Sequence, residues 1–304
     1  MATAADSHID PKGSGFRIAD IDVGTVLLAI GALALAIPTM IFVVNQSWTG
    51  EEGAHGPIVL VTGLWLLHRR WREIAEYRTV PRTLPVATLL AILLPLLVFA
   101  RITQIVEIEG YLMYAVLLVI LYSLVGLEAT KRMWFPLFYL AFIFPPPETV
   151  IAAVTVPMKI WLSKAAIATL DIAGYPIGGE GVRIYIGQYE LLVAAACSGI
   201  NSIVSLAAIS LFYIYIRHQA DWKYAFFLVL FIVPVALIAN FFRVIILILL
   251  TYHAGEASAQ GFLHNFAGIL MFGIALLAIF GLDLIFKPLW DRYVEPKAKG
   301  SIDG

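Results

Sequence analysis

Long apolar runs separated by short polar connections set the pattern of this chain. Eight of them predict membrane-spanning helices, at 23–44, 54–68, 84–101, 111–128, 133–147, 196–216, 224–250 and 264–286. A bilayer core asks for about 20 apolar residues in a helix, so the second and fifth runs are short for the task. The seventh is long enough to tilt and carries Pro234, a residue type that kinks helices.

Residues 148–195 interrupt this rhythm. From Glu148 to Ala173, Ile151, Val154, Met158, Trp161, Leu162 and Ala165 recur at helical spacing, with Thr155, Lys159 and Ser163 together on another face. That pattern predicts interfacial helices lying in the membrane plane, broken near Pro157. They read either as a structural collar or as a surface that guides a substrate. From Gly181 to Val193 the apolar residues alternate instead, and Gly187-Gln188 suits a two-residue type II′ turn. A small β-hairpin is therefore predicted over 181–193. Its edge offers strand addition to an extended peptide, or it is a lid that packs over the helices.

Composition turns this pattern into a class. The chain is 61% hydrophobic and 13% charged, with a mean hydropathy of +0.89. A soluble domain cannot hide that much apolar surface. The fold expected is an all-α polytopic membrane protein with about eight transmembrane helices, a small extracytoplasmic β-hairpin and interfacial helices. Residues 1–22 form a cytoplasmic tail, 23–286 the transmembrane domain and 287–304 a second cytoplasmic tail. The first apolar run is too long for a signal-peptide core and lacks a clear cleavage site, so it is expected to stay as an anchor.

The net charge of −1 says nothing about partners, but its distribution orients the chain. Lys and Arg mark the cytoplasmic side. Arg69, Arg70, Arg72, Arg78 and Arg82 follow the second span, and Lys131 and Arg132 the fourth. Together with the basic residues of the tails and those after the sixth span, 15 of the 20 Lys and Arg fall on one side of an eight-span arrangement. Arg101, Lys159, Lys164 and Arg183 fall on the other, and Arg243 lies within a span. Both termini are thereby expected in the cytoplasm.

This orientation sets three chemically distinctive residues at one depth. Cys197, the single cysteine of the 304 residues, opens the sixth span at the outer face. His264 opens the eighth there too. Arg243 lies in the outer-leaflet half of the seventh. Taken alone, a cysteine in an apolar helix is commonly a small hydrophobe, and a boundary histidine is commonly interfacial. Arginine within a span costs several kcal/mol unless it faces a cavity or a partner. Asn240 shares a face with Arg243, and Cys197, Asn201 and Ser205 form an i, i+4, i+8 row. A thiol at a helix N-terminus beside a cation loses its proton more readily and becomes a nucleophile. His264 is placed to shuttle the proton, and Arg243 to stabilise an oxyanion with Asn240 orienting it.

These residues resemble a known family. Ala-Cys-Ser-Gly-Ile at 196–200, Asn-Phe-Phe-Arg at 240–243 and His-Asn-Phe-Ala-Gly at 264–268 look like the exosortase/archaeosortase signature, and Ala54-His55-Gly56 is similar to the Ser-His-Gly element of that family. The resemblance runs from about residue 48 to 286. It implies an integral-membrane cysteine transpeptidase with Cys197 as nucleophile, Arg243 and His264 completing the catalytic set, and Asn240, Ser198 and Asn201 in support. It also implies partners: exported proteins ending in a Pro-Glu-Pro-type motif, a transmembrane helix and a basic tail, in a bacterial inner membrane with the active site facing the periplasm. Asn201 stands where many members carry arginine, and Ala54 replaces the serine. No cofactor or metal is expected, because His55, His253, His264 and Glu256 match no metal-binding spacing. The competing readings are a transporter or lipid-linked sugar transferase that binds an anionic group at Arg243, an outer-face metalloenzyme and an inactive scaffold.

Overall fold

The computed structural model describes residues 23–48, 55–79, 81, 83–192, 201–218, 221–259 and 262–293; the side chains of 201–203 and 262–269, among others, lie outside that description. The described chain is helical apart from one small sheet. Helix α1 (Val23–Val43) runs into a π-helical turn, Val44–Trp48, and is followed by α2 (Gly56–Ile74), α3 (Thr83–Thr103) and α4 (Val106–Val125). Two short helices, α5 (Leu127–Arg132) and α6 (Trp134–Leu140), lead to α7 (Glu148–Ile172). After strands β1 (Ile177–Glu180), β2 (Arg183–Ile186) and β3 (Tyr189–Leu192) come α8 (Asn201–Arg217), α9 (Trp222–Ala254), the single turn α10 (Glu256–Ala259) and α11 (Phe262–Tyr293).

Among the described residues, six helical segments are long and apolar enough to cross a membrane: α1 with the turn that follows it, α3, α4, α7, α9 and the Gly273–Tyr293 part of α11. Their outer faces carry exposed aliphatic rows, such as Leu27, Ile30, Leu33, Ile37 and Ile41 on α1. Water would make such rows costly, and a bilayer accepts them. The fifth predicted span is realised as a short apolar helix, Trp134–Ile143. The second keeps its place as α2, which continues through its arginines to Ile74. Helix α9 runs on through Pro234 and reaches about 50 Å.

Side-chain contacts sort the helix termini into two ends. At one end, Arg70 of α2 lies over the Tyr215 ring of α8, Thr79 N–H donates to the Val125 carbonyl that closes α4, and Lys287 of α11 bonds Asp221 before α9. The basic residues of the last turns of α2, of α5 and of the end of α8 gather here, as the charge pattern predicts. At the other end, Arg101 of α3 donates to Glu109 of α4 at 3.1 Å and to Thr39 of α1 at 2.6 Å, tying three helices together around a buried carboxylate. The sheet also lies at this second end, packed through the buried Ile184 and Ile186 onto Leu162 and Ala166 of α7 and Val244 and Ile248 of α9.

Two expectations about residues 148–195 change. Helix α7 is continuous through Pro157, not broken there; a proline removes one backbone hydrogen bond, and the rest of a 25-residue helix carries across it. Its polar row also faces inward: Thr155 and Ser163 are buried, while Val150, Val156 and Trp161 are exposed. Although α7 has the length and composition of a span, the chain enters and leaves it at the same end. Phe144, before it, packs on Tyr111 near the start of α4, and Tyr175, after it, meets His253 at the end of α9. The predicted hairpin is present as β2 and β3, with Ile186 paired to Tyr189 across Gly187-Gln188 and a positive φ of 56° at Gly187. A third strand, β1, pairs with β2 from Ile177↔Ile186 to Glu180↔Arg183. Its Ile-Gly-Gly-Glu sequence has no alternation to announce a strand.

Candidate active site

Helix α9 buries a stripe that includes Asn240, Arg243, Val244, Leu247, Ile248 and Thr251, spaced three and four apart. Arg243 sits inside that stripe and is 4% exposed, whereas its neighbour Phe242 is 53% exposed. The guanidinium therefore belongs to the interior of the bundle. Asn240, one turn earlier, is 5% exposed on the same face.

Two other helices begin at this level. Helix α11 runs antiparallel to α9: Asp283 meets Tyr224, and Ala275 clusters with Ala236. At an equal rise on both helices, position 264 falls level with Arg243 to within about one turn. Helix α8 is likewise antiparallel to α9, with Leu206 beside Ala236. Its first residue, Asn201, falls level with Asn240 to within about one turn. The backbone thus gathers the start of α8, the Asn240–Arg243 turn and the start of α11 at the sheet-bearing end of the bundle. Cys197 and Ser198 lie outside the described residues, and so do the side chains of Asn201 and His264.

His55 is a fourth contributor. It immediately precedes α2, is 5% exposed, and spans two partners: Nε2 lies 3.1 Å from the Phe142 carbonyl and Nδ1 lies 3.1 Å from Ser205 Oγ. A carbonyl only accepts, so Nε2 carries the proton, and in the neutral ring Nδ1 accepts from the Ser205 hydroxyl. Ser205 is the member of the polar row whose side chain is described; Asn201 and Cys197 stand four and eight residues earlier in sequence. The sequence reading places His55 in a family-like tripeptide and in a rejected metal set but gives it no partner. No local signal points to that partner, since a helical serine can also bond its own i−4 carbonyl.

An apolar cavity of about 600 Å³ lies between α1, α2, α4 and α6, lined by residues including Ile37, Met40, Leu60, Met113 and Phe144. None of its lining residues comes from α8, α9 or α11, so it is separate from the Arg243 level.

No curated protein and no solved structure matches this chain. The chain does match the family described as transmembrane exosortase (Exosortase_EpsH), over residues 47–281. That stretch takes in α2 through most of α11, the sheet, and the Cys197, Arg243 and His264 positions. With more than half of its length matched, the chain belongs to the transmembrane exosortase family.

Proposed function

We infer that this membrane peptidase or transpeptidase uses Cys197 to cleave the C-terminal sorting signal of exported proteins through a thioester intermediate. The observation that carries the reading is the inward burial of Arg243 and Asn240 on α9, level with the starts of α8 and α11. An arginine that deep needs a polar purpose.

In this reading the Cys197 thiolate attacks the scissile carbonyl carbon. The oxyanion that forms is stabilised by the Arg243 guanidinium, which Asn240 orients. The carbon–nitrogen bond then breaks, the leaving amine takes a proton from His264, and the substrate's transmembrane tail departs with it. The acyl group remains on sulfur as a thioester. An acceptor amine or water, deprotonated by His264, attacks that thioester and expels the thiolate. The substrate carries a Pro-Glu-Pro-type motif, a transmembrane helix and a basic tail. That tail stays with the enzyme's termini in the cytoplasm, and the scissile bond lies near the periplasmic face of the bacterial inner membrane. Membrane confinement gives both partners a fixed depth and a high effective concentration.

The test is accumulation of precursor. Cys197→Ala is expected to leave the substrate uncleaved in the membrane, and the wild-type acyl-enzyme is expected to be released by hydroxylamine, which cleaves thioesters. Undiminished processing in Cys197→Ala would reject the cysteine mechanism and restore the transporter and scaffold readings.

A further inference from the structure

The end of the bundle remote from Arg243 carries an assembled basic surface. Residues 68–72 read His-Arg-Arg-Trp-Arg, and Arg78 lies in the connection to α3. That connection is strapped down. Thr79 N–H bonds the Val125 carbonyl at 3.1 Å, and Thr79 lies against Gly126, whose φ of +83° and lack of a side chain admit the approach. The strap brings Tyr77 and Arg78, which follow α2, to the side of Arg132 of α5. Arg132 lies 3.7 Å from the ring centre of Tyr77, Arg78 lies 5.7 Å from that of Trp71, and Arg69 lies 5.6 Å from that of Trp65. Arg132 is at stacking distance from its ring, where a guanidinium keeps its N–H edges available to grip phosphate oxygens, and Arg78 and Arg69 lie within cation–π reach of theirs.

Neighbouring acids do not cancel this charge. Glu73 pairs with Arg70 and Glu128 with Lys131. Among the described residues, Arg69, Arg72, Arg78 and Arg132 have no carboxylate within ion-pair distance. The depth of the surface is marked independently. Trp65, Trp71, Tyr77 and Trp134 are all exposed around it, while α2 toward its N-terminus exposes Ile58, Val61 and Leu64. Exposed aromatic rings between an aliphatic face and a charged one mark the membrane–water boundary.

We propose that this surface binds the phosphate head groups of anionic phospholipids in the leaflet that meets it. Arginines held beside aromatic rings at the boundary grip phosphate while the rings pack on glycerol and acyl carbon. The same charge repels the basic tail of an exosortase substrate, so the surface is not a dock for that tail.

The full chain is reconstituted in mixed phosphatidylcholine–phosphatidylglycerol vesicles and extracted gently, and its retained lipids are counted by native mass spectrometry. The wild type is expected to retain phosphatidylglycerol preferentially. The triple variant Arg72→Gln/Arg78→Gln/Arg132→Gln should lose at least about fivefold of that preference, whereas Lys159→Gln/Lys164→Gln, on α7, should keep it. Equal retention by wild type and triple variant would overturn the proposal. So would displacement of the lipid by an equal concentration of glycerol 3-phosphate, which would assign the site to a soluble phosphate ester, or by an acidic peptide, which would assign it to a protein partner. If the triple variant does not fold, the wild type alone decides. Its preference should fall as added salt shortens the screening length from about 10 Å toward about 3 Å, and a salt-independent preference would overturn the proposal.

Discussion

Helices α8, α9 and α11 gather polar groups at the basic end, α8 and α9 hold others toward the opposite end, and the two sets are built from different chemistry. At the basic end, Asp283 of α11 accepts from Tyr213 of α8 at 2.6 Å and from Tyr224 of α9 at 2.9 Å, and His218 Nε2 approaches it at 2.9 Å. Donors from both partner helices and the segment after α8 converge on one carboxylate. At the other end stand Asn240, Arg243 and Ser205, the last bonded to His55. Helices α8 and α9 contain no Asp or Glu, and the two in α11, Asp283 and Asp291, fall in its last third. The first set is an acid surrounded by its donors, a clamp. The second sets an arginine beside groups that both donate and accept, on helices that carry no acid there, which suits a carbonyl that becomes an oxyanion. Burial of polar groups is therefore a poor marker of a site. The kind of group gathered is the better one.

The largest expected effect tests that distinction directly. Arg243→Ala should lower processing by about 10²–10³-fold, the range for loss of an oxyanion donor, while Asp283→Ala should leave processing per folded molecule near wild type. Arg243→Lys should recover little, since a point charge does not replace a planar fork. Processing is followed by the ratio of cleaved to uncleaved substrate in membranes with matched enzyme levels. Wild-type processing in Arg243→Ala would break the comparison.

The reciprocal prediction concerns stability. Asp283→Ala removes the acid and leaves the Tyr213, Tyr224 and His218 side chains without it, so unfolding should become easier by about 1–3 kcal/mol for each buried donor left unsatisfied. Thermal unfolding in detergent reads this as a lower midpoint. An unchanged midpoint would mean that the clamp does not hold the helices together.

The fold was legible in the sequence where periodicity was strong. The runs at 84–101 and 264–286 reappear within α3 and α11, and the Gly187-Gln188 turn joins β2 and β3. It was less legible where tertiary contacts decide. The inward turn of Thr155 and Ser163 depends on what α7 packs against, and that is not encoded in its own spacing. Arg243 and Asn240 could be assigned to one shared face from their separation alone, because helix geometry fixes it; that this face turns inward is shown by their burial. The bond between His55 and Ser205 joins residues 150 positions apart, a pairing that no local pattern announces.

That bond gives the next prediction in size. His55→Ala removes both the Phe142 and the Ser205 contacts, each worth about 1 kcal/mol, and should lower processing about tenfold. Ser205→Ala removes one contact and should cost less. Asn240→Ala should also cost less than Arg243→Ala, as expected of a residue that orients a guanidinium. If His55→Ala lowers the unfolding midpoint but not processing per folded molecule, His55 belongs with the clamp and the boundary between the two sets moves.

The smallest effect lies at the basic end and depends on pH. Asp221 caps α9 by accepting from Tyr224 N–H at 3.0 Å and pairs with Lys287 at 2.8 Å. Burial alone would raise its carboxyl, but the bonds from Lys287 and the Tyr224 backbone outweigh that and hold it below the ordinary value of 3.8. With the folded value below the unfolded one, its stabilisation is complete above about 4 and fades as pH falls through the lower folded value. Asp221→Asn keeps a competent cap and removes only the charge. The variant should unfold slightly more easily at neutral pH, by less than about 1 kcal/mol because Lys287 is partly exposed, and the gap should close in acid. Its processing at neutral pH should match wild type, since the residue stands at the opposite end from Arg243. A gap that persists unchanged into acid would assign the role of Asp221 to packing rather than to its charge.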